Sequence, residues 1–130
     1  MLTRDDVESY LLRSGQEYDE VEDGMWVVQG GEGSARVVIH RSPPLLLFRL
    51  KVMELPEDEQ QCAALFRRLL ELNATDMVHG AYGIEEEDVI LTDALELENL
   101  DFNEFQATLD SLQLAAASHH DSIAPFRANC

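Results

Sequence analysis

The stretch LLLFRLKVM, from Leu45 to Met53, constrains the fold of this chain more than any other segment. Successive residues of an extended strand point in opposite directions, so the segment has two faces. The first face carries Leu46, Phe48, Leu50 and Val52, and the second carries Leu45, Leu47, Arg49, Lys51 and Met53. One face is wholly apolar, whereas the other is apolar at its ends and basic in the middle. The pattern predicts a strand that lies against a core and leaves an incompletely polar face outside.

Helix signals flank this strand. Thr3 is suited to cap a helix that Gly15 ends, because a hydroxyl satisfies N-terminal amides and glycine suits a C-terminal stop. Pro56 is tolerated in the first turn of a second helix. Asp101 caps a third helix, and Glu104 is placed to complete a capping box. The three predicted helices run from Thr3 to Gly15, from Pro56 to Asn73 and from Asp101 to His119, beyond which the last helix is expected to fray.

Short extended segments occupy most of the remaining chain. Asp23-Gly24 predicts a tight hairpin with a type I′ turn, which needs positive φ at both residues. The glycine-rich residues 30–34 are predicted to form a second turn. The predicted strands are Tyr18–Val21, Met25–Gln29, Ala35–His40, Leu45–Met53, Met77–Tyr82 and Asp88–Leu95.

The order of these elements is α-β-β-β-β-α-β-β-α. Short hairpin links favour antiparallel pairing, with the helices laid on one side of the sheet. The sequence therefore predicts an α+β fold in which an antiparallel sheet carries three helices. We expect one domain over residues 1–123 and a C-terminal tail over residues 124–130.

The charge balance bears on possible partners. The chain has 26 acidic residues against 9 lysines and arginines, for a net charge of −17. Such a surface repels nucleic-acid phosphate and anionic lipid, so neither partner is expected, and a cationic partner is favoured. The simpler interpretation is that the acids only keep the protein dispersed. With no apolar run of membrane-spanning length and no signal-peptide pattern, we expect a cytoplasmic protein. Free thiols are expected at Cys62 and Cys130 in that compartment.

The sequence offers no convincing catalytic or metal site. The glycines at residues 30–34 lack the lysine and helix of a phosphate loop. The histidines of His119-His120-Asp121 point about 100° apart on a helix, so a solvated helix end is the better interpretation. His40 and His79 lie in predicted strands and are more typical of hydrogen-bonded histidines than of general bases. We therefore expect no enzyme, no cofactor and no metal.

Four segments resemble a known family. They are RDDVESYLL from Arg4, EVEDGMWVV from Glu20, LFRRLLELNATDMVHGAYG from Leu65 and LELENLDFNEFQATLDSL from Leu95. Together they resemble the YbjN family of small bacterial proteins, which is similar in fold to the class I type III secretion chaperones, the group that includes the Tir chaperone. The resemblance spans nearly the whole chain.

The resemblance implies a homodimer that binds an extended segment of a client protein without chemistry. Secretion chaperones hold such a segment against apolar surface on the first helix and the sheet. The corresponding partner-binding candidates are Val7, Tyr10, Leu11, Leu45 and Leu47.

Two further interpretations stay open. An acidic regulatory protein could sequester a basic partner in stress or sensory regulation, and a small enzyme could use His40 or His79. The apolar ends of the outer face of the Leu45–Met53 strand favour a dimer, with Arg49 or Lys51 reaching acids of the second chain. The helix from Pro56 to Asn73 is a second candidate for that interface.

Overall fold

The structure, a computed structural model, describes residues 1–30 and 35–127. Its elements are α1 (Arg4–Ser14), β1 (Tyr18–Glu22), β2 (Met25–Val28), β3 (Val37–Ser42), β4 (Leu45–Glu54), α2 (Glu59–Thr75), β5 (Ala81–Glu85), β6 (Asp88–Glu96), α3 (Phe102–Ser118) and α4 (His120–Arg127). The predicted α+β fold and its order of strands are confirmed. Residues 31–34 of the turn predicted over residues 30–34, and the thiol of Cys130, lie outside the described residues.

The strands form one six-stranded sheet in the order β1-β2-β3-β4-β6-β5. Every pair of neighbours is antiparallel, as the short hairpin links predicted. The long strand β4 pairs with β3 on one side and β6 on the other, so it lies in the middle of the sheet. The strands β1 and β5 form the two edges.

The core lies between one face of the sheet and the helices. Strand residues such as Trp26, Phe48 and Leu91 are fully buried there, in one hydrophobic cluster with helix residues such as Leu65 and Phe105. We call this side the inner face of the sheet and the opposite side its outer face. Burial of this apolar cluster supplies the main favourable free energy of folding.

The predicted helix count was too low, since the described residues contain four helices. The helix α4 includes residues 124–127, which the sequence analysis placed in the tail. Ile123 is fully buried, Phe126 packs against the core, and Arg127 donates to the Val52 carbonyl oxygen at 2.8 Å. A prediction based on helix propensity misses α4, because the helix is short and contains Pro125.

Two local predictions about the strands were also wrong in detail. Met53 is buried, because the β4–β6 register shifts between Lys51 and Met53 and this bulge returns the side chain to the inner face. The hairpin between β1 and β2 forms as predicted, but only Gly24 has positive φ, and a register shift lies between Glu20 and Glu22. A bulge in β1 therefore precedes the turn, and the turn is not of type I′.

Helix and strand boundaries depend on caps. Thr3 accepts from the Asp6 amide and Asp6 accepts from the Thr3 amide, so α1 begins with a complete capping box. Asp58 caps α2, because its side chain accepts a hydrogen bond from the Gln61 amide. The helix therefore begins after Pro56, at Glu59. The Glu104 amide donates to Asp101 at the start of α3, so the predicted cap forms, but among the described residues no bond from the Asp101 amide to the Glu104 side chain completes the predicted capping box. The predicted strand over residues 77–82 begins only at Ala81.

Candidate protein-binding surfaces

Three of the partner-binding candidates predicted from the sequence lie on α1, where they are buried to different depths. Val7 and Leu11 are fully buried in the core. Tyr10 is half-buried, and its hydroxyl donates to the Leu100 carbonyl oxygen at 3.2 Å. Only Tyr10 among these three therefore reaches the surface of the folded chain.

The other two candidates, Leu45 and Leu47, lie on the outer face of the sheet within an apolar group. We call this group the outer patch; it consists of Met25, Val27, Val38, Leu45 and Leu47, all partly exposed. The strand register brings its members together. Val27 lies opposite Val38, and His40 lies between Met25 and Leu47 in the adjacent row. The helices pack on the inner face, so the outer patch is open to solvent.

Arg49 and Lys51 border the outer patch, and both pair with acids of their own chain. Arg49 lies 3.1 Å from Glu85, and Lys51 lies 3.3 Å from Glu54 and 3.5 Å from Asp88. The hydrogen bond to Glu54 and the nearby charge of Asp88 raise the pKa of Lys51. A second chain that recruited either cation would have to displace these acids.

A second apolar surface lies on α2. Phe66 and Leu70 are 37% and 68% exposed, and the side chain of Ile84 on the neighbouring strand β5 is 44% exposed. We call this surface the helix patch; it consists of Ala63, Phe66, Leu70, Ala74 and Ile84. Phe66, Leu70 and Ile84 border a groove of about 230 Å3 between α2 and β5.

The helix from Pro56 to Asn73 was predicted as a possible interface, but the residues of the helix patch were not identified. One signal was available. Leu69 and Leu70 are adjacent, and neighbouring side chains on a helix point about 100° apart, so both cannot face the same core. The structure buries Leu69 and exposes Leu70.

The two edges of the sheet differ in whether their outward backbone N–H and C=O groups are already hydrogen-bonded. Gln29 donates to the Glu17 carbonyl oxygen at 2.8 Å, and antiparallel alternation then turns the backbone of Tyr18 and Glu20 away from β2. Across the described parts of the chain, no hydrogen bond reaches that far side of β1. At β5 the outward N–H and C=O of Tyr82 are both bonded to the side chain of Asn73.

A series of polar contacts runs from the buried Tyr82 and His119 to the exposed Asp76. The Tyr82 hydroxyl lies 2.7 Å from Nδ1 of His119, and Nε2 of His119 lies 3.4 Å from Asp76. The predicted solvated helix end was wrong for His119, which is 6% exposed. Burial raises the pKa of Tyr82 to about 12, so its hydroxyl is a neutral hydrogen-bonding group at neutral pH.

The remaining histidines do not assemble a reactive site. His40 lies half-exposed on the outer face, and His79 lies in the loop before β5. Within residues 1–30 and 35–127, neither of these two side chains makes a hydrogen bond or an ion pair. In that same part of the chain, no three His, Cys, Asp or Glu side chains are placed to hold a metal ion. No helix in the described ranges has the length and hydropathy needed to cross a bilayer.

Comparison with known proteins assigns the family. The model of the CesT_Tir_1 family matches residues 2–129, so the chain belongs to this type III chaperone family. A comparison with the curated proteins gives no match.

Solved structures share the fold at low sequence identity. A chain of the heterodimeric ExoU–SpcU complex from the type III secretion system of Pseudomonas aeruginosa superposes with a TM-score of 0.69 at 14% identity, covering 86% of this chain and 93% of that one. YbjN from E. coli gives 0.68 at 12% identity and covers 93% of both chains. The ExsC–ExsE complex gives 0.63 at 19% identity and covers 93% and 96%. The resemblance to YbjN and to secretion chaperones is thereby confirmed for family and fold.

Proposed function

We propose that this protein is a non-enzymatic, dimeric, chaperone-like module that holds an extended segment of a client protein in the cytoplasm. Membership of the type III chaperone family supports a protein-binding role. Relatives in fold have been solved as complexes, including the chaperone–effector complex HopA1–SchA. The observation in this chain that carries the proposal is the apolar outer patch, which the chain's own helices leave open.

The client surface in this proposal combines the outer patch with the β1 edge. An apolar surface of this kind is uncommon on a soluble monomer unless it binds something. Leu45 and Leu47 are therefore kept as partner-binding residues. The burial of Val7 and Leu11 removes them from that set, and Tyr10 is left as a contact at the margin. An extended segment added to β1 would gain main-chain hydrogen bonds and lay alternate side chains over the outer face.

The helix patch is the surface we assign to the homodimer. A two-fold axis through α2 would cover Phe66 and Leu70 of each chain with the same residues of the other. Arg67 and Glu71 lie on the same side of the helix and pair within the chain at 3.8 Å, so a pair across such an axis would replace that contact. The net charge of −17 opposes association. Screening limits that repulsion to charges within about 8 Å of the interface at physiological salt.

The proposed client surface is tested by purification from the native host with tagged variants. Leu47→Asp puts a charge into the outer patch, whereas Leu114→Asp makes the same change at an exposed leucine of α3. We expect one set of proteins to copurify with wild-type protein and with Leu114→Asp, and to be lost with Leu47→Asp. Equal recovery by all three would contradict the proposed client surface.

One observation favours the second candidate function, an acidic protein that sequesters a basic partner. The first hairpin concentrates acids at Glu17, Asp19, Glu20, Glu22 and Asp23. Salt separates the two functions, because a partner held mainly by charge is released steeply between 0.05 and 0.5 M salt, whereas an apolar contact persists. We expect the client to remain bound across that range.

A further inference from the structure

The two edges of the sheet are unequal in their capacity to accept another strand. At β5, the Tyr82 N–H donates to Oδ1 of Asn73 at 2.7 Å, and Nδ2 of Asn73 donates to the Tyr82 carbonyl oxygen at 3.2 Å. One side-chain amide thus occupies both outward hydrogen-bonding groups of that residue, in the geometry that an added strand would use.

The contact between Asn73 and Tyr82 joins the helix α2 to the edge strand β5. Asn73 lies on α2, two residues before its last residue Thr75, and is half-buried against the strand. Asparagine is a poor former of helix interiors because its amide competes for nearby backbone groups. Here the amide bonds instead to a strand nine residues further along the chain.

Charge does not distinguish the two edges. Strand β1 contains Asp19 and Glu22, and β5 ends at Glu85 with Glu86 directly after it. A basic extended segment is electrostatically favoured at either edge. Backbone availability separates the two edges. At β1 the outward groups of both Tyr18 and Glu20 carry no bond among residues 1–30 and 35–127, whereas at β5 the outward residues are Tyr82 and Ile84, and Asn73 leaves only Ile84 unbonded.

We propose that Asn73 closes the β5 edge to strand addition and so directs a basic, extended client segment to β1. This inference rests on the proposed function. Asn73 is then a positioning residue. Its side chain contacts no client, but it determines which edge of the sheet is available for strand addition. It also keeps a second copy from extending the sheet through β5, so that a dimer forms through helices and leaves both β1 edges free.

The test uses amide hydrogen exchange, followed residue by residue by NMR. The probe is a synthetic seven-residue peptide of alternating lysine and valine with blocked ends. The proteins are wild type, Asn73→Ala, which removes both bonds, and Asn73→Asp, which keeps only the acceptor for the Tyr82 N–H. Gln60→Ala, at an exposed position of the same helix, is the matched control.

In wild type and Gln60→Ala we expect the peptide to slow exchange at Tyr18 and Glu20 and to leave Ile84 unchanged. In Asn73→Ala, exchange at Tyr82 should speed up by about tenfold, as expected for one lost hydrogen bond. Added peptide, or a second copy at higher protein concentration, should then slow exchange at both Tyr82 and Ile84. Asn73→Asp should behave in between, and it provides the comparison if Asn73→Ala does not fold.

Protection of Ile84 by peptide in the wild-type protein would overturn the inference. The inference would also be overturned if neither added peptide nor a higher protein concentration slows amide exchange at Tyr82 and Ile84 in Asn73→Ala and Asn73→Asp. Protection at β5 of Asn73→Ala without protection at β1 in any protein would remove β1 from the proposed client surface while supporting closure of β5 by Asn73.

Discussion

The Tyr82 hydroxyl and Nδ1 of His119 lie 2.7 Å apart in the interior of the protein. Because His119 is the residue at which α3 ends, this contact joins the edge strand β5 to the junction between α3 and α4. The other ring nitrogen of His119, Nε2, faces Asp76 at the end of α2. One imidazole therefore links β5 and the end of α2, which carry the helix patch, to the end of α3.

The first prediction concerns this contact and high pH. Burial raises the pKa of Tyr82 from 10.0 to about 12. The unfolded chain therefore loses the phenol proton at lower pH than the folded chain, so this contribution to stability is complete below pH 10 and is lost as pH rises from 10 to 12. We expect the free energy of unfolding of wild-type protein to fall more steeply over that range than that of Tyr82→Phe.

Chemical denaturation at a series of pH values measures the difference. Burial also raises the pKa of Tyr18, but Tyr18 is present in both proteins and its effect cancels in the comparison. Parallel curves for wild type and Tyr82→Phe across the range would contradict the prediction.

The second prediction concerns low pH. The Arg4 guanidinium, with a further contribution from the Gly24 amide, lowers the pKa of Glu20. The stability that this carboxylate provides is present above the ordinary pKa of an unfolded glutamate and is lost as pH falls through the lower folded value. Glu20→Gln should therefore destabilise the protein at pH 7, and by less at pH 3.

Urea unfolding of Glu20→Gln, with Glu22→Gln on the same strand as the control, tests the second prediction. Glu22→Gln should have little effect at either pH. A loss in Glu20→Gln that is the same at both values would show that the carboxylate charge is not the cause.

The third prediction separates backbone strain from lack of space at glycine. Gly80 has φ of +80°, and a Cβ there would lie 2.8 Å from the Thr92 carbonyl oxygen and 2.9 Å from Leu112. Gly15 has φ of +77°, with no atom within 4 Å of an added Cβ. Gly15→Ala should cost about 1–2 kcal/mol from backbone strain alone. Gly80→Ala should cost about 2–5 kcal/mol, because overpacking adds to the strain.

Thermal or urea unfolding of the two alanine variants provides the comparison. Equal losses at Gly15 and Gly80 would mean that the loop before β5 moves away from Thr92 and Leu112 at little cost.

Much of the fold was predictable because local and long-range signals agree. The alternation of Leu45–Met53, the caps at Thr3 and Asp101 and the turn at Gly24 each specify an element without reference to the rest of the chain. Met53 was misplaced because a bulge changes the face of a side chain and leaves no mark in the alternation. The helix α4 was missed because its two apolar anchors gain their stability from tertiary contact and not from helix propensity.

The binding surfaces were less predictable than the fold. An apolar residue at helical spacing indicates that something covers it, but not whether the cover is the chain's own core or a partner. Val7 and Leu11 turned out to be core, whereas Leu70, next to a core leucine, is exposed. The role of Asn73 could not be predicted at all, since it depends on which strand lies beside α2 in space.

The measurement that tests the central claim most directly is the mass in solution of wild type, Leu70→Asp and Leu114→Asp by light scattering at micromolar concentration in 0.15 M salt. Leu70 and Leu114 are 68% and 67% exposed, so the two substitutions are matched in chemistry and exposure and differ in the surface they change. A dimer through α2 predicts the mass of two chains for wild type and Leu114→Asp, and that of one chain for Leu70→Asp. A wild-type mass of one chain would contradict the dimeric chaperone-like account, and two chains in Leu70→Asp would contradict its interface.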